Sequence, residues 1–146
     1  MKRKIKFDDL VRVMHRLRAP GGCPWDRKQT HNSLLKYLIE ESQEVVEAVK
    51  KKDWFNLEEE LGDILLQVLF HSELARERGD FDITDVMATL KSKLVGRHPH
   101  VFGKGKKENL TAEDVLDRWD DLKAKEKAKR LAARSRRSKS SRTRPR

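Results

Sequence analysis

The chain has 146 residues, 40% of them charged and 36% hydrophobic, with one cysteine. This length suits a single domain. The lone Cys23 excludes an internal disulfide and a cysteine-based zinc site, and no apolar run approaches the roughly 18 residues of a membrane span. The net charge of +10 is local, because residues 127–146 hold ten Lys and Arg and no acid, which leaves residues 1–126 neutral. The N-terminus has no apolar leader core, so the expectation is a soluble cytoplasmic protein.

In chain order, Leu10, Val11, Met14 and Leu17 fall at helical spacing and predict a short amphipathic helix over 7–18. The segment 19–31, with two prolines and two glycines, reads as a loop. A long helix is expected over about 32–51, capped by Thr30 or Asn32. A third, over about 56–78, would open on Asn56-x-x-Glu59 and end at Gly79. Thr84 would cap a fourth, running to Arg97 and stopped by His98-Pro99. Thr111-x-x-Asp114 opens a last helix through about Lys129. Strand-like alternation is lacking. The reading is all-α, a compact bundle of four or five helices over residues 1–130, with a basic disordered tail over 131–146. The third helix carries Leu57, Leu61, Ile64, Leu65, Leu66, Val68, Leu69 and Phe70, apolar around most of its circumference. So small a bundle cannot surround such a helix, and a homodimer is expected.

The informative residues are acids. On the second helix Glu41 and Glu44 lie at the edge of the apolar arc, while Glu40 and Glu47 sit further towards the polar side. On the third, Glu60 and Asp63 are embedded among apolar residues, and no Lys or Arg occurs between Leu57 and Ala75. Burying even one unpaired carboxylate is costly, so crowding four requires positive compensation. A hard divalent cation with all-oxygen ligands, Mg²⁺ or Mn²⁺, supplies it. A solvated Glu-rich face would account for Glu40–Glu47 alone, but not for Glu60-x-x-Asp63.

E-E-x-x-E at 40–44 followed by E-x-x-D at 60–63 resembles the signature of the MazG family of nucleoside triphosphate pyrophosphohydrolases. C-P-W-D at 23–26, Q-T-H at 29–31, E-L-G-D-I-L-L-Q-V-L-F-H at 60–71 and R-H-P-H-V-F-G at 97–103 are similar to the same family. The resemblance implies an all-α, normally dimeric enzyme that uses Mg²⁺ to split a nucleoside triphosphate between its α- and β-phosphates. It implies Glu41, Glu44, Glu60 and Asp63 as metal ligands, with Glu40 beside them to orient or activate water. It also implies Lys93 and Arg97 as phosphate-binding cations, and Trp119 and Lys123 as further substrate contacts. Many family members carry two such domains in tandem, whereas this sequence contains one.

The nucleotide could be any canonical or damaged (d)NTP, which would make this a pool-cleaning enzyme. A narrower relative, a dUTP/dCTP or phosphoribosyl-ATP pyrophosphohydrolase, is the alternative. A different class of function, a helical protein held on nucleic acid by its basic tail, would give weak, salt-sensitive contact. His71, His98 and His100 are read as structural, Cys23 as a packed thiol, and Trp25 and Trp54 as core or interface residues.

Overall fold

The computed structural model describes residues 4–105 and 109–142, with side chains to Arg136. Among the described residues there are seven helices and no strand: α1 (Phe7–Arg18), α2 (Pro24–Lys28), α3 (His31–Lys51), α4 (Trp54–Arg78), α5 (Ile83–Arg97), α6 (Pro99–Phe102) and α7 (Ala112–Arg142). None is long and apolar enough to cross a membrane. They fall into two compact units, Met1–Val86 and Met87–Arg146.

The first unit is built on the α3–α4 hairpin. Thr30 caps α3, its hydroxyl accepting from the Ser33 N–H while Ser33 answers to the Thr30 N–H, so the expected cap is Thr30 and not Asn32. The α3 helix closes on Lys52 in the left-handed conformation (φ 55°). Asp53 then caps α4 by accepting from the Asn56 N–H at 3.1 Å. That displaces the expected Asn56–Glu59 cap one turn upstream, because a carboxylate in the turn already satisfies the first free donors. Gly79, at φ 76°, ends α4 as anticipated.

The α1 helix packs on α4 and contributes Met14 to a core of Leu34, Leu69, Phe70 and Leu74, flanked by Phe7, Val11, Tyr37, Leu65 and Ile83. Charged struts tie the same helices together. His15 Nδ1 meets Glu73 Oε2 at 2.8 Å and Arg18 forms a two-point pair with Glu77, both joining α1 to α4, while Arg76 within α4 grips Glu73 at 2.7 Å. Burial pushes the Glu73 carboxyl up, but its hydrogen bonds from Arg76 and His15 outweigh that and hold it below its ordinary 4.5.

Two expectations need correction. The segment 19–31 is not all loop, because Pro24 sits in the first turn of α2, where its missing N–H costs nothing. Trp25 of this turn rests its edge on Tyr37 and Phe70. The α4 helix is covered on all sides over residues 69–75, where Leu69, Phe70, Ser72, Glu73, Leu74 and Ala75 are buried, while earlier along it Leu61, Leu66 and Val68 are exposed, as expected of a helix that so small a bundle cannot surround. Trp54 and Phe55 at its start are also exposed, so neither is a core residue of this unit.

In the second unit α5 and α7 are joined by side chains. The α5 cap is Asp82, which accepts from the Thr84 and Asp85 N–H groups, where Thr84 itself was expected. His98-Pro99 does stop α5, and Pro99 then begins the single turn of α6. Thr111 and Asp114 form the reciprocal cap anticipated for α7. The α7 helix runs to Arg142 instead of ending near Lys129. Ala128, Leu131, Ala132 and Ala133 favour helix, and neither Gly nor Pro interrupts before Pro145. Residues 143–146 of the expected tail lie outside the described residues.

Candidate functional site

The hairpin determines which acids meet. Counted from Lys52, Glu41 and Asp63 are each eleven residues away, and Glu44 and Glu60 each eight. In two antiparallel helices closed by a tight turn, residues equidistant from that turn lie level with each other. Glu41, Glu60 and Asp63 accordingly bring one carboxylate oxygen each to within 4.8 Å of one another. Glu60 is buried at 7% exposure, Glu41 and Asp63 are half-buried, and Glu44 is exposed.

The electrostatics are those of a site short of positive charge. Burial pushes the Glu41 carboxyl up to about 7, helped by the Asp63 charge, a hydrogen bond with Glu44 and the charges of Glu44 and Glu60. Burial likewise raises Glu60, with the Glu44 charge and hydrogen bond next, then Asp63 and Glu59. Carboxylates at this spacing cannot all ionise without a counter-charge. Three hard oxygen donors on two rigid helices fit a divalent cation of the Mg²⁺ or Mn²⁺ type. Of the four expected ligands, three form the close cluster and Glu44 joins through Glu41 and Glu60. Glu40 is exposed on α3, one residue before Glu41.

A second polar pair lies further along the hairpin. His31 and His71 stack with ring centroids 5.0 Å apart and Nδ1 atoms at 2.7 Å. Burial, then the neighbouring His31, lowers the His71 pKa, consistent with one neutral ring donating to the other. His71 thus behaves as the hydrogen-bonded histidine expected from its apolar helix.

The expected cations lie in the second unit. Arg97 forms a two-point ion pair with Glu126, Nη2 to Oε2 at 2.7 Å and Nε to the same oxygen at 3.0 Å. Its guanidinium also stands 5.4 Å from the Trp119 ring centroid, and His98 meets that ring edge-on. Lys93 and Lys123 line the same cleft as Arg97 and Glu126. Sequence reasoning missed Glu126, although it lies seven residues after Trp119 and three after Lys123, on the same helical face.

An all-helical chain that brings Glu41 of one helix up to the i,i+3 pair Glu60 and Asp63 of the next, close enough to hold a metal ion, has the layout of the carboxylate helical bundles. Residues 29–102 match the model of the MazG nucleotide pyrophosphohydrolase domain, and the chain belongs to the MazG family. It is 52% identical over 130 residues to the nucleoside triphosphate pyrophosphohydrolase/pyrophosphatase MazG of Thermotoga maritima, covering 89% of this chain and 49% of that protein. It is 43% identical over 126 residues to the nucleoside triphosphate pyrophosphohydrolase of Escherichia coli, covering 86% and 47%. The crystal structure of a MazG-related protein from Thermotoga maritima superposes with a TM-score of 0.65 at 32% identity, over 80% of this chain and 98% of that one. The chain spans about half the length of these two curated relatives.

Proposed function

We propose that the chain hydrolyses nucleoside triphosphates between the α- and β-phosphates, giving a nucleoside monophosphate and pyrophosphate, and acts in clearing the nucleotide pool. The observation that carries this reading is the convergence of Glu41, Glu60 and Asp63 within 4.8 Å on the segment that matches the family. Glu41, Glu44, Glu60 and Asp63 are the proposed ligands of Mg²⁺, with Mn²⁺ able to replace it. When bound, the ion supplies charge neutralisation for the phosphates and acidifies water.

The chain's own residues do the rest. Glu40 orients the attacking water and accepts its proton as oxygen bonds to the α-phosphorus and the bridge to the β-phosphate breaks. The proton then leaves to solvent and pyrophosphate departs. Lys93, Arg97 and Lys123 are the proposed partners of phosphate oxygens, and Trp119 the surface on which any base can stack. The exposed apolar residues Leu61, Leu66 and Val68 of α4 support a homodimer. Residues 1–130 are proposed to act as one catalytic domain, in the cytoplasm.

The test is product identification from each of the common ribo- and deoxyribonucleotides with Mg²⁺, alongside Glu41→Gln and Asp63→Asn. Monophosphate plus pyrophosphate, lost in EDTA and in both variants, is the expected result. Diphosphate plus phosphate would overturn the cleavage position. A rate confined to one pyrimidine nucleotide, or to phosphoribosyl-ATP, would replace broad specificity with the narrower reading.

A further inference from the structure

The second unit holds more positive charge than a triphosphate uses. Between α5 and α7 runs an open cleft of about 680 Å³ lined by Lys93, Arg97, Lys123, Lys127, Arg130 and Arg134. Its one carboxylate, Glu126, is committed to Arg97. The four α7 cations recur at steps of four, three and four residues, which places them on one helical face. Like charges at these spacings destabilise a helix, and from Lys127 to the end of α7 no acid offsets them. The repulsion is relieved when a polyanion displaces the counterions.

The length of the row points to an extended anion. At 1.5 Å per residue the four α7 cations, from Lys123 to Arg134, span about 16 Å. That is longer than one triphosphate, and a positively charged groove of such length can track several phosphates of a single strand. Leu131, exposed on the same cleft wall, offers apolar contact to sugars or bases. We propose that the α5–α7 cleft is a single-stranded nucleic-acid site, with Lys127, Arg130 and Arg134 extending the cation row beyond the residues assigned to the nucleotide. Binding is backbone-directed and indifferent to sequence.

The experiment is fluorescence anisotropy of the full chain with labelled oligo(dT) across a salt series. With Arg97 neutralised by Glu126, five phosphate contacts predict a log–log salt slope of about −3.5, at roughly 0.7 per contact. Lys127→Gln/Arg130→Gln/Arg134→Gln should reduce it to about −1.4 and weaken binding at least tenfold at low salt. Gln keeps the helix, which circular dichroism checks. A charge-matched comparison locates the strand: Lys127→Gln/Arg134→Gln should weaken binding, and Lys125→Gln/Lys129→Gln, in the neighbouring groove between the same two helices, should not. Equal losses from the two pairs would overturn the cleft assignment. So would retention of binding by the triple variant with loss on truncation after Arg136. Tighter binding of linear polyphosphate than of an oligonucleotide of equal charge would overturn the assignment to nucleic acid.

Discussion

Glu41→Gln tests the electrostatic reading of the acid cluster directly. Without metal, the Glu41 carboxyl rises from its ordinary 4.5 to about 7. The folded protein therefore keeps a proton there that the unfolded chain releases as pH passes 4.5. Below pH 4.5 both states hold the proton and Glu41 costs nothing; between 4.5 and 7 stability falls, and above 7 the whole penalty is present. At about 1.4 kcal/mol per pH unit this is at most about 3.4 kcal/mol. Solvent screening at a half-buried position reduces it to roughly 1–2 kcal/mol. Urea unfolding in EDTA at pH 4.5 and pH 8 measures it. Wild type should lose roughly 1–2 kcal/mol more than Glu41→Gln over that interval, so that the variant becomes the more stable apo-protein at pH 8. Adding Mg²⁺ should reverse the order, since a ligand at a hundredfold over its Kd stabilises wild type by about 2.7 kcal/mol. Identical pH dependence of the two apo-proteins, or equal gains from Mg²⁺, would refute the argument.

The Glu73 strut should respond in the opposite sense. Its carboxyl lies below its ordinary 4.5, so its contribution is present above that pH and lost as pH falls through the folded value; Glu73→Gln should cost about 1–3 kcal/mol at pH 7, and thermal melts should show the gap from wild type closing in acid. Gly22→Ala should destabilise by about 1–3 kcal/mol, because an added Cβ would press on the backbone carbonyls of Leu17 and Arg16; a denaturant midpoint unchanged from wild type would show that this turn relaxes freely. Glu126→Gln weakens the two-point hold on Arg97, and steady-state kinetics should show KM rising roughly fivefold with kcat little changed.

The long helices were legible because their apolar spacing and caps are local. Phe7–Arg18 was read to the residue, and Gly79 and His98-Pro99 marked the ends they make. Two short helices are hidden in the sequence for a common reason: Pro24 and Pro99 read as breakers, whereas in the first turn of a helix proline is a starter. Asp53 and Asp82 are the caps, although Asn56 and Thr84, inside the helices they begin, carry the stronger cap pattern in the sequence. The acid cluster was legible as ionisable residues out of place on apolar faces. Glu126 was not, because its meaning lies in Arg97, 29 residues earlier, and nothing in the α7 sequence announces that partner.

The same contrast explains why the metal-ready site is compact while the basic cleft is open. A hairpin closed over Lys52 and Asp53 has its register fixed by the left-handed Lys52 and the Asp53 cap, and every pair equidistant from that turn is then brought level at once. The level pairs Glu41–Asp63 and Glu44–Glu60 follow from the turn, so the location of the acids and the chemistry of two turn residues are a single structural fact. The α5–α7 cations have no such turn between them; they are aligned by a long helix and held at one point by the Arg97–Glu126 pair. A cation needs converging ligands at fixed distances, which a hairpin provides. A flexible strand of phosphates needs only a row of charge, and one helical face supplies that.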